Sequence, residues 1–150
     1  PGAGFLTAVT IVCEIGDFSA FRRPKQLYSY FGLDQVVRQS GNSTGTNLRI
    51  SKRGSPYARR CFYILALQSI SLRKNGEPKN PVLRAYYQEK CKCKAKMTAL
   101  GAVMHKLCNI VFAVLRDEQP FILISSQEHR QNYLSMRKAT CRICSYFLRP

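Results

Sequence analysis

The chain has 150 residues, with 24 Lys and Arg against 8 Asp and Glu, a formal net charge of +16, 45% hydrophobic residues, seven Cys and no Trp. That size suits one compact domain, and the apolar share is enough to build a core, which excludes wholesale disorder. The longest nearly apolar run, residues 107–115, falls well short of the roughly 20 residues that cross a bilayer, so no membrane role is expected. No basic-then-apolar leader opens the chain and the cysteine count is odd, so a reducing cytosol is expected rather than a secreted disulfide framework.

Pro1-Gly2-Ala3-Gly4 precedes an apolar helical pattern over residues 5–15 that Gly16 closes. Asp17-Phe18-Ser19 leads by a turn to a second short helix over 24–31, with Pro24 near its first position and Gly32 ending it. Residues 36–50 are polar and turn-rich through Ser40-Gly41-Asn42-Ser43-Thr44-Gly45-Thr46-Asn47, which predicts a loop with room for a short β-hairpin. Ser55-Pro56 launches a helix expected to run to Asn75 and stop at Gly76, with Cys61, Ile64, Leu65 and Leu72 on its apolar face. After Pro78 and Pro81 a helix over 82–94 follows. The next, over 97–116, has the cleanest stripe: Met97, Leu100, Met104, Leu107, Cys108, Val111, Phe112 and Leu115.

The expected fold is therefore mostly α: a helix-hairpin-helix-like part over 1–33, a basic serine-containing loop over 34–54, a helical core of three longer helices over 55–117, and a divergent tail over 118–150. A helix-hairpin-helix needs a helix before its hairpin, so the sequence is expected to begin within a domain.

Sixteen excess positive charges repel one another in a compact chain, and a polyanion relieves that repulsion. Their distribution is one-sided. No acid lies between Asp34 and Glu77, while Arg38, Arg49, Lys52, Arg53, Arg59, Arg60, Arg73 and Lys74 fall there, unlike the mixed signs of a solvated face. Nucleic acid is the expected partner. The glycines Gly2 and Gly4 fit a turn whose backbone approaches phosphate at a helix start, although the same glycines serve a plain tight turn equally well.

Ser40 lies in the polar loop near several cations. A serine attacks phosphorus only when its proton is taken and the developing phosphoryl charge meets fixed donors, and Arg and Lys supply the second requirement. Ser43 and Ser51 compete with Ser40, and a turn-forming role is open for all three. Paired carboxylates for metal-assisted chemistry are missing: Glu14 and Asp17 flank a helix end and Asp117-Glu118 closes another. His105 and His129 stand alone. Cys91, Cys93, Cys141 and Cys144 offer zinc four thiolates, but Cys-x-Cys on a helix presents them poorly, and no metal is expected in this chain. Cys13, Cys61 and Cys108 read as buried small hydrophobes. Lys90, Lys92, Lys94 and Lys96 form a run suited either to phosphate or to solvent. Tyr28, Tyr30, Tyr57, Tyr63, Tyr86 and Tyr87 interleave with cations, with most expected in the core.

Pro-Gly-Ala-Gly-Phe-Leu-Thr-Ala at 1–8, Glu14-Ile15-Gly16-Asp17, Phe21 before Lys25-Gln26-Leu27, Tyr30-Phe31-Gly32-Leu33, Ser40-Gly41 and Ile50-Ser51-Lys52-Arg53-Gly54 form an ordered set over about residues 1–118. As a set they resemble the C-terminal domain of the insertion-sequence transposases related to the Piv and MooV DNA invertases. The resemblance implies a two-part recombinase: an N-terminal RuvC-like domain with four acids for divalent metal, and a C-terminal domain whose serine, here Ser40, attacks DNA and forms a covalent phosphoserine link. It implies DNA as substrate, a bridge RNA in some members, a homo-oligomeric working assembly, and action on the nucleoid of a prokaryotic cell. Nucleic acid would then lie on Gly2, Gly4, Arg38, Arg49, Lys52 and Arg53. Asp34-Gln35 stands where relatives often carry a proline, which predicts a looser start to the serine loop. The acidic domain is absent, so a truncated chain that binds without recombining is expected. The reading from another class is a non-enzymatic basic helical DNA- or RNA-binding module, or an inactive remnant, with Ser40 a turn residue.

Overall fold

The computed structural model describes residues 3–36, 49–124, 127–128 and 130–131, together with the backbone of 39–40 and 43–44. Three of its helices begin with proline at the first position, where the missing N–H costs nothing: α2 (Pro24–Tyr30), α3 (Pro56–Ile70) and α4 (Pro81–Cys93). They follow α1 (Phe5–Ile15) and a single 3-10 turn (Phe18–Ala20), and they precede α5 (Lys96–Asp117). Between α2 and α3 lies an antiparallel hairpin of two short strands, β1 (Gln39–Ser40) and β2 (Ser43–Thr44). The fold is mostly helical, as the periodicity predicts.

Capping explains the boundaries. Asp17 accepts from the Ser19 N–H and hydroxyl, starting the 3-10 turn, and these bonds hold its carboxyl below its ordinary value. Gln26 Oε1 accepts from the Arg22 and Arg23 N–H groups at the head of α2. Ser55 accepts from Ala58 N and the buried Asn80 from Leu83 N, opening α3 and α4. Gly16, at φ 62°, closes α1.

Helix α5 is the central element, packed against α2, α3 and α4, while α1 leans on α3. The core joins Ile11 and Ile15 of α1, Leu27 and Phe31 around α2, Phe62 and Leu65 of α3, Leu83 of α4, and Leu100, Val103, Leu107, Cys108 and Phe112 of α5. Each large apolar side chain removed from water there contributes roughly 1.5–3 kcal/mol before entropy is counted. Phe31 and Phe62 stack at 5.2 Å between ring centroids, and Phe18 meets Phe112 at 5.1 Å.

Four expectations change. The helix after Pro56 ends at Ile70, not Asn75: the Ser71 hydroxyl and N–H both donate to the Gln68 carbonyl, Ser71 turns extended, and Leu72 bridges Pro78. Arg73 N donates to Glu77 O and Lys79 N to Ser71 O, so residues 71–79 form a reversing loop around Gly76, and Leu72 is exposed instead of lying on a buried face. On α3, Cys61 and Ile64 are only half-buried, and Ala58, Phe62, Ala66 and Ser69 carry the burial alongside Leu65. Cys13 is exposed rather than buried, because α1 is apolar on more sides than its neighbours cover; Cys108 is buried and burial pushes its thiol up to about 12. Finally, the 22-residue α5 carries an 18-residue stretch of mean hydropathy 1.6, long and apolar enough by composition to cross a membrane; one side of it packs on α2, α3 and α4 as core. On the same stripe Met97 is exposed, and Ala99 and Val103 are buried.

Candidate nucleic-acid interface

The segment that carries Ser40 rises from a backbone ladder. Val36 N donates to Arg49 O, Ser51 N to Asp34 O and Lys52 N to Gly32 O, and Gln35 pairs with Ile50. Two antiparallel arms, 32–36 and 49–52, thus lead out to the hairpin, where Gln39 faces Thr44 and Ser40 faces Ser43. The start of the loop is not loose, contrary to the expectation from Asp34-Gln35. The Ser51 hydroxyl donates to Asp34 Oδ1, tying side chains where the backbones are already tied. Ser51 is thereby engaged as a structural hydroxyl.

The ladder is anchored where two chain segments cross without side chains between them. A Cβ on Gly54 would sit 1.9 Å from the Tyr30 carbonyl oxygen and 2.5 Å from Phe31 C. On Gly32, at φ 64°, it would sit 2.6 Å from the backbone nitrogens of Arg53 and Gly54. Only glycine fits either place. Arg59, in the first turns of α3, fastens the crossing by donating to the carbonyls of Gly54 (2.6 Å) and Phe31 (3.2 Å). Among the cations of the acid-free interval, Arg59 is therefore a clamp within the fold. Lys52 adopts φ 57°, a left-handed conformation uncommon outside glycine.

Arg49, Lys52 and Arg53 are exposed at the foot of these arms. Nearby, an open groove of about 1350 Å³ runs between α2, the start of α3 and the start of α5. Arg23 and Lys25 of the α2 head, Arg60 of α3 and Lys94 before α5 are exposed cations lining it. Its interior carries Ile50 (41% exposed) and Met97 (67% exposed), with Tyr28 and Tyr63 half-buried. Tyr28 meets His105 edge-on at 4.5 Å. Burial, with smaller contributions from Cys108 and Asp34, pushes the Tyr28 phenol up to about 12; burial and Lys106 lower His105. The lining thus divides by chemistry into a cationic set, the rim, and an apolar and aromatic set, the floor.

The structure places Ser40 at the end of β1, and Arg49, Lys52 and Arg53 at the foot of the same hairpin. Gly4 is elsewhere, as the residue before α1: its carbonyl accepts from Ala8 N, and α1 packs on α3. Its φ is −83° and a Cβ there would meet nothing within 4 Å, so among the described residues no crowding and no backbone angle calls for glycine. Gly2 and Arg38 lie outside the described residues, as do His129, Cys141 and Cys144. Of the remaining thiols, Cys91 is half-buried and Cys93 exposed, and no metal-holding cluster of His, Cys, Asp or Glu occurs among the described residues. In the lysine run, Lys90 contacts Glu89 at 3.4 Å and lies over the Tyr86 ring. Tyr28, Tyr63, Tyr86 and Tyr87 pack against the core, whereas Tyr30 and Tyr57 are exposed. Sequence reasoning missed the groove as a unit, because its rim is assembled from α2, α3 and the α4–α5 junction; the only local signal was the lysine run ending at Lys96.

Against known proteins, residues 1–88 match the family model described as Transposase IS116/IS110/IS902 family. The chain is 30% identical over 122 residues to a transposase for insertion sequence element IS1111A of Coxiella burnetii, covering 81% of this chain and 32% of that protein. It is 31% identical over 122 residues to a pilin gene-inverting protein of Moraxella bovis, covering 81% and 36%. An insertion element IS110 protein of Streptomyces coelicolor shares 26% identity over 118 residues, covering 78% and 27%. The chain thus spans about a third of the length of these relatives. A matched family model over more than half of the residues settles the kinship: the chain belongs to the IS116/IS110/IS902 transposase family.

Proposed function

We propose that this chain is the serine-bearing part of a DNA recombinase acting in transposition, and that Ser40 is its nucleophile. The observation that carries the reading is the mounting of Ser40. It ends a strand on a hairpin whose arms are laddered, crossed glycine-on-glycine and clamped by Arg59, with Arg49, Lys52 and Arg53 exposed at its foot. A serine carried on such a hairpin in a cation-rich segment suits in-line attack on a phosphodiester, since the rate depends on positioning and on donors for the phosphoryl charge. The Oγ–phosphorus bond forms as Oγ gives up its proton and the bond to the leaving sugar oxygen breaks, that oxygen taking up a proton to leave as a hydroxyl; a phosphodiester is conserved that the hydroxyl of a second strand can later attack.

DNA would reach the hairpin along its cationic foot. The turn before α1 would add backbone N–H groups to phosphate in the manner of a helix-hairpin-helix, with Gly4 left bare for that approach. Arg38 and Gly2 would belong to the same surface. The divalent metal that the resemblance implies does not fit this chain's described residues: they hold no ligand cluster, and Asp34 is committed to Ser51. Its acids would belong to a RuvC-like domain of a longer or partnering polypeptide. Bridge RNA, a homo-oligomeric assembly and action at the nucleoid are carried as parts of the same proposal.

A second reading has its own support. Ser51, Gly32, Gly54 and Arg59 are all accounted for by folding alone, as expected if the motif residues build a non-enzymatic nucleic-acid-binding module. The test is adduct formation: the chain is mixed with the RuvC-like half of a relative, divalent metal and a suicide DNA substrate. A denaturation-resistant protein–DNA band that Ser40→Ala abolishes supports the recombinase. A band that survives Ser40→Ala refutes the serine's role.

A further inference from the structure

We propose that the groove between α2, α3 and α5 is a second nucleic-acid site, distinct from the hairpin foot, that holds a single-stranded stretch with phosphates on the rim and bases on the floor. The proposal rests on the reading of this chain as a nucleic-acid-binding protein and goes further by assigning a strand form to a particular surface.

The rim and the floor ask for different parts of one ligand. Arg23, Lys25, Arg60 and Lys94 are exposed around the opening. Asp34, which accepts from the Ser51 hydroxyl, is the one acid among the described residues of the lining, so the four exposed cations outnumber it and the rim is net positive. The head of α5 adds to it: its first residues have no side-chain cap and no acid in the first turn, and Lys94 and Lys96 flank them. Met97 and Thr98 of that first turn line the groove, so the positive end of the helix dipole lies beside it. Self-repulsion at such a rim is relieved by a polyanion.

A duplex satisfies a rim but has no use for the floor. Its bases are stacked inward and show only their edges in the grooves, so their flat faces are not available to such a surface. Met97 is 67% exposed and Ile50 41%, so the cations stand beside apolar surface that a ligand can cover. Unstacked bases are flat, apolar on both faces, and spaced along a backbone of phosphates. Grooves that bind single strands combine positive charge with apolar or aromatic platforms in this way. Tyr63 and the Tyr28–His105 pair supply the aromatic part. An acidic peptide also carries charge, and so becomes the competing outcome; its side-chain carboxylates alone would leave the floor uncovered.

The test is fluorescence anisotropy on the full chain with labelled oligothymidylate and oligouridylate of about 12 nucleotides, a length within single-strand site sizes, and with a duplex of equal length. Met97→Asp and the pair Arg60→Glu/Lys94→Glu alter the groove at exposed positions, and Arg49→Ala/Arg53→Ala alters the hairpin foot; circular dichroism verifies that each folds. The expected result is a loss of about tenfold or more in single-strand affinity for the groove variants, with duplex affinity within about twofold, and the reverse for the foot variant. Met97→Ser, which adds no charge, is expected to weaken single-strand binding by several-fold, as removal of a stacking platform does. Preference for the DNA or RNA strand identifies the sugar, and either supports the proposal. Single-strand affinity unmoved by the groove variants, or equal losses for both strand forms, overturns it while leaving nucleic-acid binding intact. An oligoglutamate that displaces the strand at equal concentration overturns it in favour of an acidic peptide. Wild-type chain that binds neither strand form overturns the underlying reading as well.

Discussion

Gly54→Ala is the sharpest perturbation of the hairpin's mount. The added Cβ would start 1.9 Å from a backbone oxygen, 2.5 Å from a backbone carbon and 2.8 Å from the Gly32 nitrogen, and these neighbours are backbone rather than flexible side-chain ends. Reaching an ordinary contact requires the segments to part by roughly 1 Å or more, a distortion comparable to overpacking a core at about 1–3 kcal/mol. Parting also strains the bonds that span the crossing: Arg59 to the Gly54 carbonyl at 2.6 Å and Lys52 N to the Gly32 carbonyl at 3.0 Å. At about 1 kcal/mol for a neutral bond and 1.5–3 for a charged donor, the total comes to about 3.5–7 kcal/mol if both bonds are lost. That is a large part of the 5–15 kcal/mol typical of a domain. Urea unfolding followed by circular dichroism measures it directly. Gly101→Ala provides the control, because a Cβ there meets nothing within 4 Å inside α5, and the change should stabilise by roughly 0.5–1 kcal/mol. A Gly54→Ala loss below about 1 kcal/mol would refute the claim that the two segments are locked together where the serine-bearing segment begins and ends.

Lys52→Gly relieves a left-handed lysine at φ 57° while adding unfolded-state entropy, so stability should change by less than about 1 kcal/mol; DNA affinity should fall and the salt slope shrink by about 0.9 if that cation meets one phosphate. Gly4→Val fits its backbone and meets no neighbour, so it should cost about 1 kcal/mol as a poorer cap yet weaken DNA binding several-fold; unchanged affinity would reduce the turn to a geometric role. Cys108 should resist iodoacetamide in the native state while Cys13 and Cys93, both exposed, react, as peptide mapping will report. Because the Cys108 thiol is raised from 9.0 to about 12, its stabilising share is complete below pH 9 and is lost as pH climbs toward 12; a Cys108→Ala chain should show a shallower alkaline decline in melting temperature.

Much of the helical plan is written locally. Pro24, Pro56 and Pro81 each mark a helix start, and Gly16 marks an end, because their backbone constraints act without tertiary help. The C-terminus of α3 is different. Ser71 to Asn75 tolerate a helix, and what stops it is the bridge from Leu72 to Pro78 with the bonds of Arg73 and Lys79, a pairing that periodicity does not register. Cys13 and Leu72 fail as core residues for the same reason: an apolar side chain is buried only where another element arrives to cover it.

The candidate site was partly legible. The position of Ser40 beside a cation-rich, acid-free stretch is plain in the chain, and the ordered motifs resemble a family to which the chain belongs. The reason for Gly32 and Gly54 is not legible in either segment alone, since each is explained by the other's backbone across 22 positions. Nor does the string of residues distinguish Arg59, whose guanidinium is spent on carbonyls, from Arg60, which faces the groove. Both are exposed-looking cations until the fold sorts them.

The covalent intermediate is the most direct object to measure. Tandem mass spectrometry of the proteolysed protein–DNA adduct, trapped with a suicide substrate in the presence of an acid-bearing RuvC-like partner, should place a nucleotide phosphoester on the peptide containing Ser40 and on its hydroxyl. A phosphoester on Ser43, Ser51 or any tyrosine, or strand exchange that proceeds with no protein-linked phosphate, would contradict the account.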